Sequence, residues 1–194
     1  MPLNTIPLPY GLRDLKVTPY TDAAATTLAG ASIDLPNSQT FSFTEAEDFE
    51  DLRGDDQLQT SHGKGAQVNW ELGYGGISFE AYAAIAGGKI VTTGTTPNQI
   101  KTYSKYITDD AGGGTLFSGS RPFFKIEGQS ISDSGGDFHS VVYRCRSTGD
   151  VNGTQEDGKF WITGAKGIGY ASKAAASLGK LYDFVQNETA ASIA

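Results

Sequence analysis

The side chains best suited to chemistry in this 194-residue chain are carboxylates, and their densest run stands in one short stretch. Glu45, Glu47, Asp48, Glu50, Asp51, Asp55 and Asp56 are set against Arg53, His62 and Lys64 within EAEDFEDLRGDDQLQTSHGKG. Clustered acids can bind calcium, but these lack the regular ligand positions of a loop such as the EF-hand. His62 and His139 stand far apart, without Cys or acidic ligands at metal spacing, so no zinc site is expected. The run TGAKGIG over 163–169, followed by Tyr170, Ser172 and Lys173, resembles the glycine-rich turn and the Tyr/Lys pair of short-chain dehydrogenases. Both matches are one residue short. They also adjoin, whereas that chemistry needs a cofactor turn opening a Rossmann fold and a catalytic helix far downstream. No Ser or Cys nucleophile has a paired His, so the expectation is no catalytic, cofactor or metal site. The chain reads instead as a surface for assembly.

Strand patterns flank the acidic stretch. Phe41 and Phe43 alternate with Ser42 and Thr44, and Ala66, Val68, Trp70 and Leu72 alternate with Gln67, Asn69 and Glu71, the period of half-buried strands. The segment at about 45–65 reads as a long acidic inter-strand loop with turn signals at Gly54 and at Gly63 and Gly65, too long for an ordinary hairpin turn. A short helix follows: Ser78 is its N-cap, Phe79, Tyr82, Ala83 and Ala86 share a face, Ile77 can staple onto Tyr82, and Gly87 with Gly88 ends it. So apolar a helix must pack on a sheet.

Pro2, Pro7 and Pro9 mark 1–10 as an extended arm, with the fold beginning at Gly11. Further strands are expected at 12–20, around 33–35, and at 89–93, 99–107, 123–131, 139–147 and 159–170, separated by turns at 112–114, 135–136 and 150–158. The segment 174–188 suits a helix through Leu178, Leu181 and Val185, or a strand over 181–186. Trp70 and Trp161 lie among apolar neighbours and read as core. The 25 glycines fit many short strands and tight turns. The expected fold is an all-β sandwich or barrel-like domain over 11–194 with one short α-helix on the sheet.

A net charge of −7 argues against ordinary nucleic-acid binding, which draws on Lys and Arg. Cys145 alone gives no disulfide framework, in keeping with a reducing cytoplasm. The N-terminus lacks a basic region followed by an apolar one, and no window approaches 18 apolar residues, so neither export nor membrane insertion is expected. The integrin-like tripeptide Arg53-Gly54-Asp55 and the glycosylation sequons at Asn152 and Asn187 are therefore read as chance.

The order LRGDD, HGKG, an alternating strand ending in WELGYGGIS, and an alanine-rich aromatic helix ending in Gly-Gly resembles the major tail (tail tube) protein of siphophages, the long non-contractile-tailed phages, infecting actinobacteria such as mycobacteria. The likeness is densest over 41–97. The resemblance implies a virion protein, assembled in the host cytoplasm, whose copies close into rings of six that stack into a tube for DNA ejection. Its partners would be further copies of itself and other tail proteins (tape measure, tail terminator, baseplate or distal tail), with transient, non-sequence-specific passage of phage DNA. The resemblance places Ser42, Thr44, Gln67, Asn69 and Glu71 along the bore and turns Phe41, Phe43, Val68, Trp70 and Leu72 inward. The acidic loop, with Glu47, Phe49, Asp51, Leu52, Arg53, Asp55, Asp56 and Leu58, would then meet the next ring and become ordered there. The alternative is a β-sandwich carbohydrate-binding module, which would expose an aromatic face and usually carries a secretion signal.

Overall fold

The structure is a computed structural model describing residues 6–54, 57–105 and 121–193. Its elements, in chain order, are β1 (Pro9–Pro19), β2 (Ile33–Asp34), β3 (Ser38–Gly54), β4 (Gln57–Gly75), α1 (Phe79–Ala86), β5 (Lys89–Thr93), β6 (Ile100–Ser104), β7 (Phe124–Ser132), β8 (Asp137–Gly153), β9 (Ile162–Gly169) and β10 (Tyr182–Asn187). The fold is all-β with one short helix, as the alternation predicts. One antiparallel sheet runs in the order β2-β1-β7-β8-β9-β4-β3, with β10 adding to β8, and β5 pairs with β6 apart from it.

The sheet folds over at β8. The first half of β8 lies between β7 and β10, and the second half pairs with β9. Between the two, the register with β7 slips from Phe124↔Cys145 to Ile126↔Val142, and Arg144 takes φ 43. An extra residue at that point bends the strand and strengthens its twist. The two layers then face one another: Trp70 on β4 meets Phe124 on β7 with ring centres 5.5 Å apart, and Phe43 on β3 meets Tyr182 and Phe184 on β10 at 5.5 and 5.7 Å. Leu15, Val17, Val68, Leu72, Tyr74, Ile126 and Val142 fill the space between.

Several sequence expectations shift. The acidic segment is not a loop, because β3 and β4 continue as a ladder through Phe49↔Gly63 and Leu52↔Thr60 to Gly54↔Gln57. Charge on both faces removes the alternation that marks a half-buried strand, yet backbone pairing does not require it. Asp55 and Asp56, with residues 1–5 and 106–120, lie outside the described residues, and so do Pro2, Ile107 and Gly112–Gly114. Pro9 and Tyr10, assigned to the arm, already belong to β1. The ambiguous C-terminal segment holds a strand, β10, after one 3-10 turn at Ala175–Ser177.

Helix α1 has the expected ends, Ser78 Oγ accepting from the Ala81 N–H at 3.2 Å and Gly87 closing at φ 72, but a different buried face. Ala81, Ala84, Ile85 and Ala86 are buried, since small side chains let the helix approach closely. Phe79 and Tyr82 flank that contact and lie against Tyr103 of β6. Ile77 is exposed.

Gly167 on β9 marks the tightest approach between neighbouring strands at the core. A Cβ there would stand 2.1 Å from the Arg146 carbonyl oxygen and 2.7 Å from both the Ser147 Cα and the Trp70 ring. Gly167→Ala is expected to cost about 1–3 kcal/mol, seen as a lower urea midpoint at unchanged slope. An unchanged midpoint would contradict this packing.

Candidate functional site

The five residues assigned to the bore share one face of the β3-β4-β9 layer. Register sets Ser42 opposite Glu71, Thr44 opposite Asn69 and Gln67 opposite Ala46, and directly opposed residues in antiparallel strands point the same way. Ser42, Thr44, Asn69 and Glu71 are exposed and Gln67 is half-buried, while Val68, Trp70 and Leu72 beneath them are buried. Trp70 is thus core, and no platform for a sugar is built from it. The face continues onto β9, where Lys166 opposes Glu71 and Ile168 opposes Asn69, and onto β8, where Arg146 opposes Ile168. A trough of about 410 Å³ follows it, lined among others by Ser42, Thr44, Asn69, Glu71 and Lys166. With Glu71 matched by Lys166, Arg146 is left as the unmatched charge on this face. The acidity of the chain is concentrated elsewhere.

It is concentrated on the β3–β4 extension. Strand β9 ends at Gly169 opposite Val68, so beyond Val68 strands β3 and β4 have, among the described residues, only each other. The remaining ribbon projects by about 30 Å at ordinary strand rise. Phe49, Asp51 and Arg53 continue the face of Phe43, and Asp48, Glu50 and Leu52 continue that of Ser42. Leu58 opposes Arg53 and Thr60 opposes Leu52, so Phe49 and Leu58 lie on one face and Leu52 on the other. All three apolar side chains are more than half exposed, at 62, 56 and 61%. Arg53 stands 3.5 Å from Asp51 and Lys64 2.8 Å from Glu50, both pairs in solvent and worth little. Glu47 and Asp48 have no ion-pair partner among the described residues. A two-stranded ribbon without a covering layer is marginal in water.

Sequence reasoning missed a buried polar network. On the outer face of the β7-β8-β10 layer, His139 lies between Glu127 (Nδ1 to Oε1, 2.9 Å) and Asp137 (Nε2 to Oδ2, 3.0 Å). Asp137 also accepts from Gln129 Nε2 at 2.6 Å, Asn187 Nδ2 at 2.8 Å and the Ala191 N–H at 2.9 Å. The Ala191 carbonyl accepts from Gln129 at 2.7 Å, and the Ile193 carbonyl from Lys16 at 3.0 Å. The network therefore straps the C-terminal tail across the sheet, with Ile193 buried beneath it. The alternation of Asp137 with His139 was the available signal, but only the pairing of β7 with β8 brings Gln129 and Glu127 to them. Among the described residues no group of three or more His, Cys, Asp or Glu could hold a metal ion, and no helix is long and apolar enough to cross a membrane.

Burial disfavours the charged forms here, and the hydrogen bonds outweigh it. Asp137 is held at about 2 by Gln129, Ala191, Asn187 and His139, and His139 is raised by Glu127 and Asp137. No protein-family model matches the chain, and the search of curated proteins finds no match.

A lowered Asp137 stabilises above its unfolded value of about 3.9 and is lost as pH falls toward 2, while a raised His139 stabilises fully below about 6.5 and is lost as pH rises through its folded value. Tail protection, read as amide exchange at Ala191 and Ile193 corrected for intrinsic rate, is expected to weaken above about pH 6.5 and below about pH 4. A flat profile across both windows would contradict the strap. Asp137→Ala should cost about 3–5 kcal/mol in urea unfolding, because it leaves His139 buried beside a lost partner.

Proposed function

We propose that this chain is the subunit of a phage tail tube, self-assembling through sheet edges and the β3–β4 ribbon into stacked rings that conduct DNA. The observation that carries the reading is the ribbon itself: a long acidic projection with exposed Phe49, Leu52 and Leu58 and, among the described residues, no partner layer. Such a projection has little reason to persist in a protein that works alone. The resemblance of residues 41–97 to tail-tube proteins supports the same reading, and supplies the ring of six.

Edges support it further. Among the described residues strand β3 is terminal in the sheet, and β8 beyond Cys145 pairs with β9 alone, Arg121 reaching its other side at Ser147 and Gly149. Pairing β3 of one copy with the second half of β8 of the next would extend the β3-β4-β9-β8 layer into a closed wall and remove edges that otherwise invite aggregation. Ser42, Thr44, Gln67, Asn69 and Glu71 would then line the bore. A duplex carrying one charge per about 1.7 Å binds a strongly basic wall, so a mostly polar one with few cations lets it pass. Other tail proteins would close the two ends of the tube, and the virion tail would be its final location.

Negative-stain microscopy of the purified chain at rising concentration is expected to show rings or tubes. A strictly monomeric species throughout would overturn the reading. The triple change Gln67→Lys, Asn69→Lys and Glu71→Lys should leave the subunit folded, because these side chains face away from the core, and virions carrying it should assemble tails but eject poorly. Unimpaired ejection would remove the bore assignment. Deleting residues 48–64 should leave a folded subunit that no longer forms long tubes, whereas tubes of normal length would show that stacking lies elsewhere.

A further inference from the structure

The bend in β8 gathers positive charge in a chain whose net charge is −7. Arg146 places its guanidinium carbon 3.8 Å from the centre of the Phe123 ring, and Arg144, turned out by its φ of 43, places its own at 4.8 Å from that ring and 5.8 Å from Tyr170. Neither arginine has a carboxylate partner among the described residues. The Nε of each is buried without a hydrogen-bond partner, and the Arg144 guanidinium makes, among the described residues, a long hydrogen bond to the Ala171 carbonyl at 3.4 Å. Ring stacking offsets part of the cost of burying these cations, but two adjacent guanidiniums on one ring repel and leave donors unmatched. The site is built for an anion that the described residues do not supply.

We propose that Arg144 and Arg146, with Phe123 and Tyr170, receive the acidic β3–β4 ribbon of a second copy of this chain. The inference rests on the self-assembly reading and names the receptor for its ribbon. Within one copy the contact is out of reach: Cys145, next to Arg144, is in register with Gly169, Val68 and Glu45, so the arginines stand level with the base of the ribbon, which runs away from them. Across copies the chemistry matches. The ribbon offers Glu47 on the face of exposed Phe49 and Asp48 on the other, neither with a cation of its own among the described residues, and the receptor offers forked donors over aromatic rings. A DNA phosphate would present charge without the apolar surface, to a chain whose net charge repels a free duplex.

The test mixes isotope-labelled and unlabelled full-length chains, with a photocrosslinking amino acid replacing Phe49, under assembly conditions. Crosslinks from position 49 to residues 121–123, 144–146 or 170 of the other copy are expected, and crosslinks to other segments of that copy would overturn the docking while leaving assembly intact. Arg144→Glu with Arg146→Glu, and separately Glu47→Lys with Asp48→Lys, should each raise the concentration needed for assembly about tenfold or more, and mixing the two variants should restore it. The ribbon variant changes only exposed side chains and keeps the fold, so unchanged assembly by it alone would overturn the proposal even if the arginine variant misfolds. A duplex oligonucleotide bound by the parent chain and lost on Arg144→Glu with Arg146→Glu would assign the cluster to phosphate and overturn the docking. A parent chain that never self-associates would instead overturn the tail-tube reading, and this receptor with it.

Discussion

The pairing at Val68 sets the terms for the rest of this molecule. There β4 has Glu45 of β3 on one side and Gly169 of β9 on the other, and one residue further out it has β3 alone. Inside that line, side chains alternate between a packed interior and a polar face. Outside it, none of the described residues forms a layer beneath, and the same alternation leads nowhere. A continuous backbone ladder thus joins a body held by burial to a ribbon held by hydrogen bonds between two strands, and stability is distributed unevenly along one pair of strands. Among the described residues nothing gives the ribbon a third partner.

The body compensates by being over-determined. The bulge at Arg144 folds the sheet, Trp70 and Phe124 join the layers, and Gly167 lets β8, β9 and β4 approach at the centre. On the far face, Asp137 and His139 hold the C-terminal tail through paired and hydrogen-bonded charges. Such networks are costly unless complete, and this one satisfies Asp137 from the backbone, Gln129, Asn187 and His139 together. The tail is therefore part of the fold at neutral pH rather than an appendage.

What the sequence makes legible follows from where burial leaves a periodic trace. Phe41, Phe43, Val68, Trp70 and Leu72 mark their strands because one face is packed, and Ser78 with Gly87 marks the ends of α1 because caps are local. The ribbon reads as a loop because its acids occupy both faces, which erases the only cue that separates a strand from a polar linker. The buried face of α1 is misread because Ala81 and Ala84 carry little hydrophobic weight beside Phe79 and Tyr82, although small size is what the close contact needs. The tail strap and the arginine cluster depend on strand order and register, which join Gln129 to His139 and Phe123 to Arg146 across the chain. Neither is encoded in any local window.

Amide exchange along the ribbon, followed as the protein is concentrated from dilute subunit into assemblies, addresses the central claim most directly. Residues Phe49 to Leu52 and Leu58 to His62 should exchange fast in the dilute subunit, while Val68 to Leu72 are already protected, and should slow in step with assembly. Strong protection of the ribbon in the dilute subunit, or fast exchange persisting in the assembled protein, would contradict the claim that the ribbon finds its missing partner in another copy.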